Sequence, residues 1–156
     1  MEEQGNFHPI TPGVAYRSAQ LDRDELEYYI TTYNIKSILN LRGKKAGAPW
    51  YVDEMKVSRK YHVRHYDLSL SASREPSKRQ EHKLLEIFKN APRPILIHCK
   101  AGADRSGLVA AMWKVVVDKR SKSEAENRLS VLYGHFPIGD TSAMDHFFEK
   151  WRPELN

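Results

Sequence analysis

The chain has a single cysteine, Cys99, in 156 residues, and that scarcity excludes any internal disulfide framework. A lone thiol fits a reducing compartment. Long apolar runs are missing too: none approaches the roughly 18 residues that span a bilayer. The opening stretch Met1-Glu2-Glu3-Gln4-Gly5-Asn6 is acidic and polar where a secretory leader would be basic and then apolar, so a cytoplasmic location is the expectation. The seven histidines show no metal-ligand spacing, and neither a metal nor another cofactor is expected. Repeats, low-complexity tracts and linkers are absent as well. At this length one domain over 1–156, monomeric, is expected.

What is present is an ordinary globular composition, 40% hydrophobic and 29% charged, with a net charge of +5. The positive balance favours anionic partners. Nucleic acid is not expected, because the basic residues are scattered through amphipathic segments and form no arm or dense run. A small polyanion fits better.

The chain is organised around Pro94-Ile95-Leu96-Ile97-His98-Cys99-Lys100-Ala101-Gly102-Ala103-Asp104-Arg105-Ser106-Gly107. Ile95, Leu96 and Ile97 suit a short strand buried on both faces. Ser106 to Trp113 is apolar enough for a buried helix. Between them lies a tight loop with small residues at Ala101, Gly102 and Ala103. Such residues let successive N–H groups turn inward, and an N–H-lined turn at a helix N-terminus is an anion site, with phosphate the obvious guest. The helix end and Arg105 both favour negative charge at Cys99, so its sulfur should act as a thiolate nucleophile. Arg105 can hold two phosphoryl oxygens with its planar fork, which a lysine does less well. Ser106 can donate to the sulfur as it leaves, and His98 can orient the loop from the strand side. Lys100 adds charge within the loop.

His98-Cys99, five residues, then Arg105-Ser106 resembles the signature of the cysteine-dependent protein tyrosine phosphatase superfamily, in its atypical dual-specificity and phytase-like branch. Cys99-Lys100-Ala101-Gly102 is similar to the tensin-type lipid phosphatases, Asp104-Arg105 to the myotubularins, and Tyr16-Arg17-Ser18-Ala19-Gln20 to the opening of atypical bacterial, plant and fungal members. The resemblance implies an α/β fold of the compact dual-specificity-phosphatase type, a central and mostly parallel sheet of four or five strands flanked by helices. It also implies a metal-independent phosphomonoesterase working through a phosphocysteine. The lone cysteine argues against relatives that finish catalysis with a second thiol.

Along the chain, residues 7 to 20 read as a leading loop and a first short strand near Val14–Ser18, with Arg17 as a structural ion-pair partner. Asp22 and Glu25 resemble a capping box for a helix over roughly 22 to 33. A strand is expected at 35–41, then the basic loop Arg42-Gly43-Lys44-Lys45-Ala46-Gly47. Ligand loops of open α/β sheets lie at strand C-termini, which can bring Lys44 and Lys45 onto the rim with Cys99. A helix over 49–60, a strand over 62–70, a polar loop Ser71–Ser77 and a third helix up to Asn90 follow. Ser121 with Glu124 forms another capping box, for a helix with Leu129, Val131 and Leu132 that ends at Gly134. Asp140 or Thr141 caps a last helix with Met144, Phe147, Phe148 and Trp151 on one face.

Hydrolysis of a phosphomonoester needs an acid for the leaving oxygen and then a base for water. Three carboxylates compete: Asp67 on the strand before the polar loop, Glu75 within that loop, and Asp104 inside the phosphate loop. No Trp-Pro-Asp or equivalent motif decides between them. Lys44, Lys45, Arg74, Lys78, Arg79 and Lys100 offer more positive charge than one phosphotyrosine requires. Inositol polyphosphates or similar polyanionic esters are therefore the expected substrates. A protein tyrosine or dual-specificity phosphatase acting on phosphoproteins is one alternative, and a phosphate-binding module without turnover is the alternative of another class.

Overall fold

A computed structural model of the chain describes residues 5–129 and 142–153. The elements run β1 (His8–Thr11), β2 (Ala15–Ser18), α1 (Arg23–Tyr33), β3 (Ser37–Asn40), α2 (Pro49–Lys60), β4 (Arg64–Asp67), α3 (Lys78–Asn90), β5 (Ile95–His98), α4 (Asp104–Val116), α5 (Lys122–Leu129) and α6 (Ser142–Lys150). One sheet holds all five strands in the order β1-β2-β5-β3-β4. Only the β1–β2 pair is antiparallel. The expected α/β architecture is present, with β5 at its centre.

Burial on both faces follows from the alternation of side chains along each strand. Ala15, Leu39, Ile95 and Ile97 face a cluster with Leu84, Phe88, Val109 and Trp113 from α3 and α4. Tyr16, Ile38 and Leu96 face the opposite cluster with Leu26, Tyr29, Ile30 and Val57 from α1 and α2. Helix α4 is buried along most of its length, every residue from Ser106 to Lys114 included. Trp113 is fully enclosed and meets Phe88 edge to face at 5.1 Å. Truncating such a residue to alanine costs about 3–5 kcal/mol.

The local signals act as their chemistry requires. The Asp22 side chain accepts from Glu25 N, and Glu25 returns the bond to Asp22 N, a cap whose loss costs about 1 kcal/mol. Ser77 and Gln80 form a second box at α3, and Pro49 occupies the first turn of α2, where its missing N–H costs nothing.

Two segments differ from expectation. His8–Thr11, read as loop, pairs antiparallel with β2; its Pro9 is tolerated because β1 is an edge strand. The strand expected over 62–70 shrinks to Arg64–Asp67, although Leu68 N and Leu70 N still donate to Asn40 O and Leu41 O. The chain is diverted there toward Arg105, as described below. The helix end at Gly134, Val131, Leu132 and the caps Asp140 and Thr141 lie outside the described residues.

Candidate active site

Three parallel strands end level with one another, because Ser18 and Asn40 both stand opposite His98 in register. Backbone bonds continue the tie past the strand ends: Leu41 N to His98 O at 2.9 Å and Gln20 N to Lys100 O at 3.0 Å. Cys99 therefore leaves the sheet at its middle, flanked by Ala19-Gln20 on one side and Leu41-Arg42 on the other.

The loop after Cys99 is shaped by Gly102. Its φ of +77° suits glycine, and a Cβ there would stand 2.5 Å from Ala19 N. Its N–H donates to Cys99 Sγ at 3.2 Å. Behind the loop Arg17, fully buried, donates from Nη2 to Gly102 O and Ala103 O, each at 3.0 Å. Asn6 Nδ2 adds a bond to Gly102 O at 2.9 Å. Within a planar peptide the N–H points opposite to the C=O. Pinning these two carbonyls to the rear thus turns the amides of Ala103 and Asp104 toward the front. Arg17, expected as a structural residue, holds these two carbonyls. Gly107 makes room for it, since a Cβ at that position would lie 3.2 Å from Arg17 Nη2.

Ser106 is buried with its Oγ 3.5 Å from Cys99 Sγ. Arg105 donates from Nη1 to Leu70 O at 3.2 Å, which anchors the guanidinium to the loop after β4. His98, 2% exposed, has an acceptor at each ring nitrogen: Cys99 O lies 3.2 Å from Nδ1, and the Glu54 carboxylate within 3.0 Å of Nε2. The sulfur is buried, with the Gly102 amide and the Ser106 hydroxyl beside it.

Glu54 holds this region together from α2. It is 2% exposed and receives His98, His65 Nε2 at 2.6 Å and Gln20 Nε2 at 3.0 Å. Burial alone would push its carboxyl up, but the charge of His98 and the bonds from His65, His98 and Gln20 together outweigh burial and hold it far below the ordinary range. Gln20 Oε1 in turn accepts from Arg42 Nη1 at 3.1 Å.

Of the expected site residues, Cys99, Gly102, Ala103, Arg105, Ser106 and His98 come together in this turn. Asp104 opens α4 directly before Arg105, and Lys100 and Ala101 are exposed on the loop. Asp67 lies two strands away from His98, about 10 Å by the usual strand spacing. Its oxygens accept from Tyr51 OH at 2.5 Å and Asn40 Nδ2 at 2.9 Å. Burial and then the Asp67 hydrogen bond raise the Tyr51 pKa well above the usual tyrosine value, so Tyr51 stays the donor. Glu75 forms an ion pair with Lys150 of α6 at 2.8 Å. Lys44 and Lys45 are exposed beyond β3. Arg74 and Arg79 line a cleft of about 500 Å³ that also includes Leu70, the residue bound by Arg105. Among the described residues no group of three or more histidine, cysteine or carboxylate side chains is placed to hold a metal ion.

Sequence reasoning missed Glu54 and Arg42. The signal for Glu54 was a carboxylate at helical spacing from Tyr51 and Val57, all three on the buried face of α2. The signal for Arg42 was its place just past a strand end, the same rule that singled out Lys44 and Lys45.

Residues 11–145 match the family model PTP-NADK, described as a DSP-PTPase phosphatase fused to NAD+ kinase. The chain belongs to this family. It is a cysteine-dependent phosphatase of the dual-specificity type. No curated protein matches the sequence. Among solved structures, the phosphatase is similar to TpbA of P. aeruginosa, with TM-score 0.70 and 21% identity over 94% of this chain and 85% of that one. It is also similar to the core catalytic domain of the PP-IP phosphatase Siw14 of S. cerevisiae, solved with citrate, with TM-score 0.74 and 20% identity over 94% and 85%. A third is PTPMT1 in complex with PI(5)P, with TM-score 0.64 and 16% identity over 92% and 95%. These likenesses show that the phosphatase shares their fold. No helix among its described residues is long and apolar enough to cross a membrane.

Proposed function

We propose that this phosphatase transfers the phosphoryl group of its substrate to Cys99, and that its substrates are small esters carrying several phosphates, inositol polyphosphates foremost. The sulfur attacks phosphorus in line while the bond to the leaving oxygen breaks. The inward amides and Arg105 follow the equatorial oxygens as charge develops. Asp104 gives the leaving oxygen its proton and then takes one from the attacking water. As the S–P bond breaks, Ser106 donates to the departing thiolate, and inorganic phosphate is released.

Asp104 is preferred as acid because it belongs to the phosphate-holding turn itself. The observation that carries the substrate reading is the cationic rim around the strand ends: Arg42, Lys44, Lys45 and Lys100 on the flanking loops, with Arg74 and Arg79 at the adjoining cleft. Siw14, a PP-IP phosphatase, and PTPMT1, solved with PI(5)P, support it by analogy of fold. TpbA has been solved with pTyr, which favours tyrosine-phosphorylated protein as the second reading. A reducing cytoplasm would keep the lone thiol active.

The test is phosphate release, at matched ionic strength, from inositol hexakisphosphate, a phosphotyrosine peptide and NADP+. The last is included because the family is described by its fusion to NAD+ kinase. The reading expects the largest kcat/KM on the inositol ester and a steep fall with added salt. A larger kcat/KM on the peptide or on NADP+ overturns it.

A further inference from the structure

The mechanism above uses one guanidinium, yet the strand register brings a second to the same rim. Leu41 N bonds His98 O directly, so Arg42 stands level with the first residues after Cys99. Two contacts fix its side chain. The guanidinium lies over the Trp50 ring, its Cζ 3.8 Å from the centroid. Nη1 donates to Gln20 Oε1 at 3.1 Å, and Gln20 is itself held by Glu54 through Nε2 and by Lys100 O through its backbone. Among the described residues this is the one hydrogen bond that the Arg42 guanidinium makes. Arg42 as a whole is half-buried.

An arginine stacked on a ring and bonded at one nitrogen is pre-ordered, so a ligand that takes the rest of the fork pays little entropy for ordering it. Electrostatics says what ligand that is. After burial, the charge of Arg105 is the strongest influence lowering the Arg42 pKa, while Glu54 and Cys99 act in the opposite sense. Leu70, whose O accepts from Arg105 Nη1, donates from its N to Leu41 O, the residue before Arg42, so the two guanidiniums share one edge of the site and are best satisfied by an anion with charge at both ends. A purely structural arginine holding Gln20 would have no need to face that repulsion, because Glu54 and Lys100 already fix Gln20.

We propose that Arg42 is a specificity-determining residue, whose guanidinium binds the phosphate adjoining the one held by Arg105, so that the site selects ligands with two neighbouring phosphates over those with one. This deepens the polyphosphate reading and rests on it. The chemical class is a diphosphate or a vicinal bisphosphate. Lys44, exposed two residues further on, adds charge without a fixed geometry.

The test uses inorganic phosphate and pyrophosphate as probes, with binding measured by calorimetry on the full chain at constant ionic strength. Three variants are compared with the unaltered protein: Arg42→Ala, Trp50→Ala and Lys36→Ala. Lys36 precedes β3 at the opposite end from the site and controls for loss of one positive charge. Pyrophosphate should bind the unaltered protein at least tenfold more tightly than phosphate, as a second charge-assisted contact provides. Arg42→Ala should remove that preference, weakening pyrophosphate far more than phosphate. Trp50→Ala should reduce the preference in part, and Lys36→Ala should not change it. Equal loss of phosphate and pyrophosphate binding, or a preference that survives Arg42→Ala, overturns the proposal. Because these are binding measurements, failure to hydrolyse any inositol ester would defeat the proposed substrate and leave this result readable.

Discussion

Glutamate 54 is the best place to perturb the support of the site, because one carboxylate there serves His98, His65 and Gln20 at 2% exposure. Glu54→Gln keeps the shape and removes the charge. Breaking a buried pair by removing one partner costs about 3–5 kcal/mol; a glutamine can still accept one of the bonds, so about 2–4 kcal/mol is expected at pH 7. The sign with pH follows from the depressed carboxyl of Glu54. A group whose folded pKa lies below its unfolded value stabilises the fold above the unfolded value and loses that contribution as pH falls. The difference between unaltered protein and variant should therefore be full at pH 7 and shrink as pH drops below the ordinary glutamate range. Urea denaturation of both proteins at pH 7, 5 and 4 measures it. A difference below about 0.5 kcal/mol at pH 7, or one that grows toward acid, would refute the reasoning.

Three further outcomes are expected. Gly102→Ala meets both a left-handed φ and the backbone of Ala19 at 2.5 Å; a cost of about 2–3 kcal/mol in unfolding free energy is expected, with a loss of aryl phosphatase activity greater than the loss of folded protein. Asp104→Asn should slow esters with poor leaving groups by about 10²–10⁴-fold while sparing activated aryl phosphates, a contrast visible in rate against leaving-group pKa; the same pattern in Asp67→Asn and not in Asp104→Asn would transfer the acid to Asp67. Arg105→Lys keeps the charge and loses the fork and the bond to Leu70 O, so kcat on an aryl phosphate should fall by about two orders of magnitude with little change in melting temperature.

Much of this architecture is legible in the residues alone. Ile95 to Ile97 announce a strand buried on both faces, Asp22 with Glu25 and Pro49 mark helix starts, and small residues between Cys99 and Arg105 announce a phosphate-sized turn. All of these are local signals, with their physics within a few residues. What stays hidden depends on register. Pro9 reads as a loop former until β2 makes its strand an edge. The hold of Arg17 on the carbonyls of Gly102 and Ala103 depends on the parallel pairing of β2 with β5, which sets it behind them. Glu54 and Arg42 belong to the site only because α2, packed against α1 and β4, lets Glu54 reach His98, and because β3 ends beside His98. Gln20, the partner of Arg42, and His98, the partner of Glu54, lie 22 and 44 residues away along the chain, a distance no pattern of spacing encodes. The contacts of Asp67 with Tyr51 and of Glu75 with Lys150 were hidden for the same reason, since neither partner is near in sequence.

The account depends most on the sulfur of Cys99 accepting the phosphoryl group. Acid quenching during turnover of an aryl phosphate, followed by intact mass and peptide mapping, tests this directly. One added phosphoryl group on the peptide containing Cys99, absent in Cys99→Ser along with all turnover, is the predicted result. Turnover that persists in Cys99→Ser, or a phosphoryl group mapped to another residue, would contradict it.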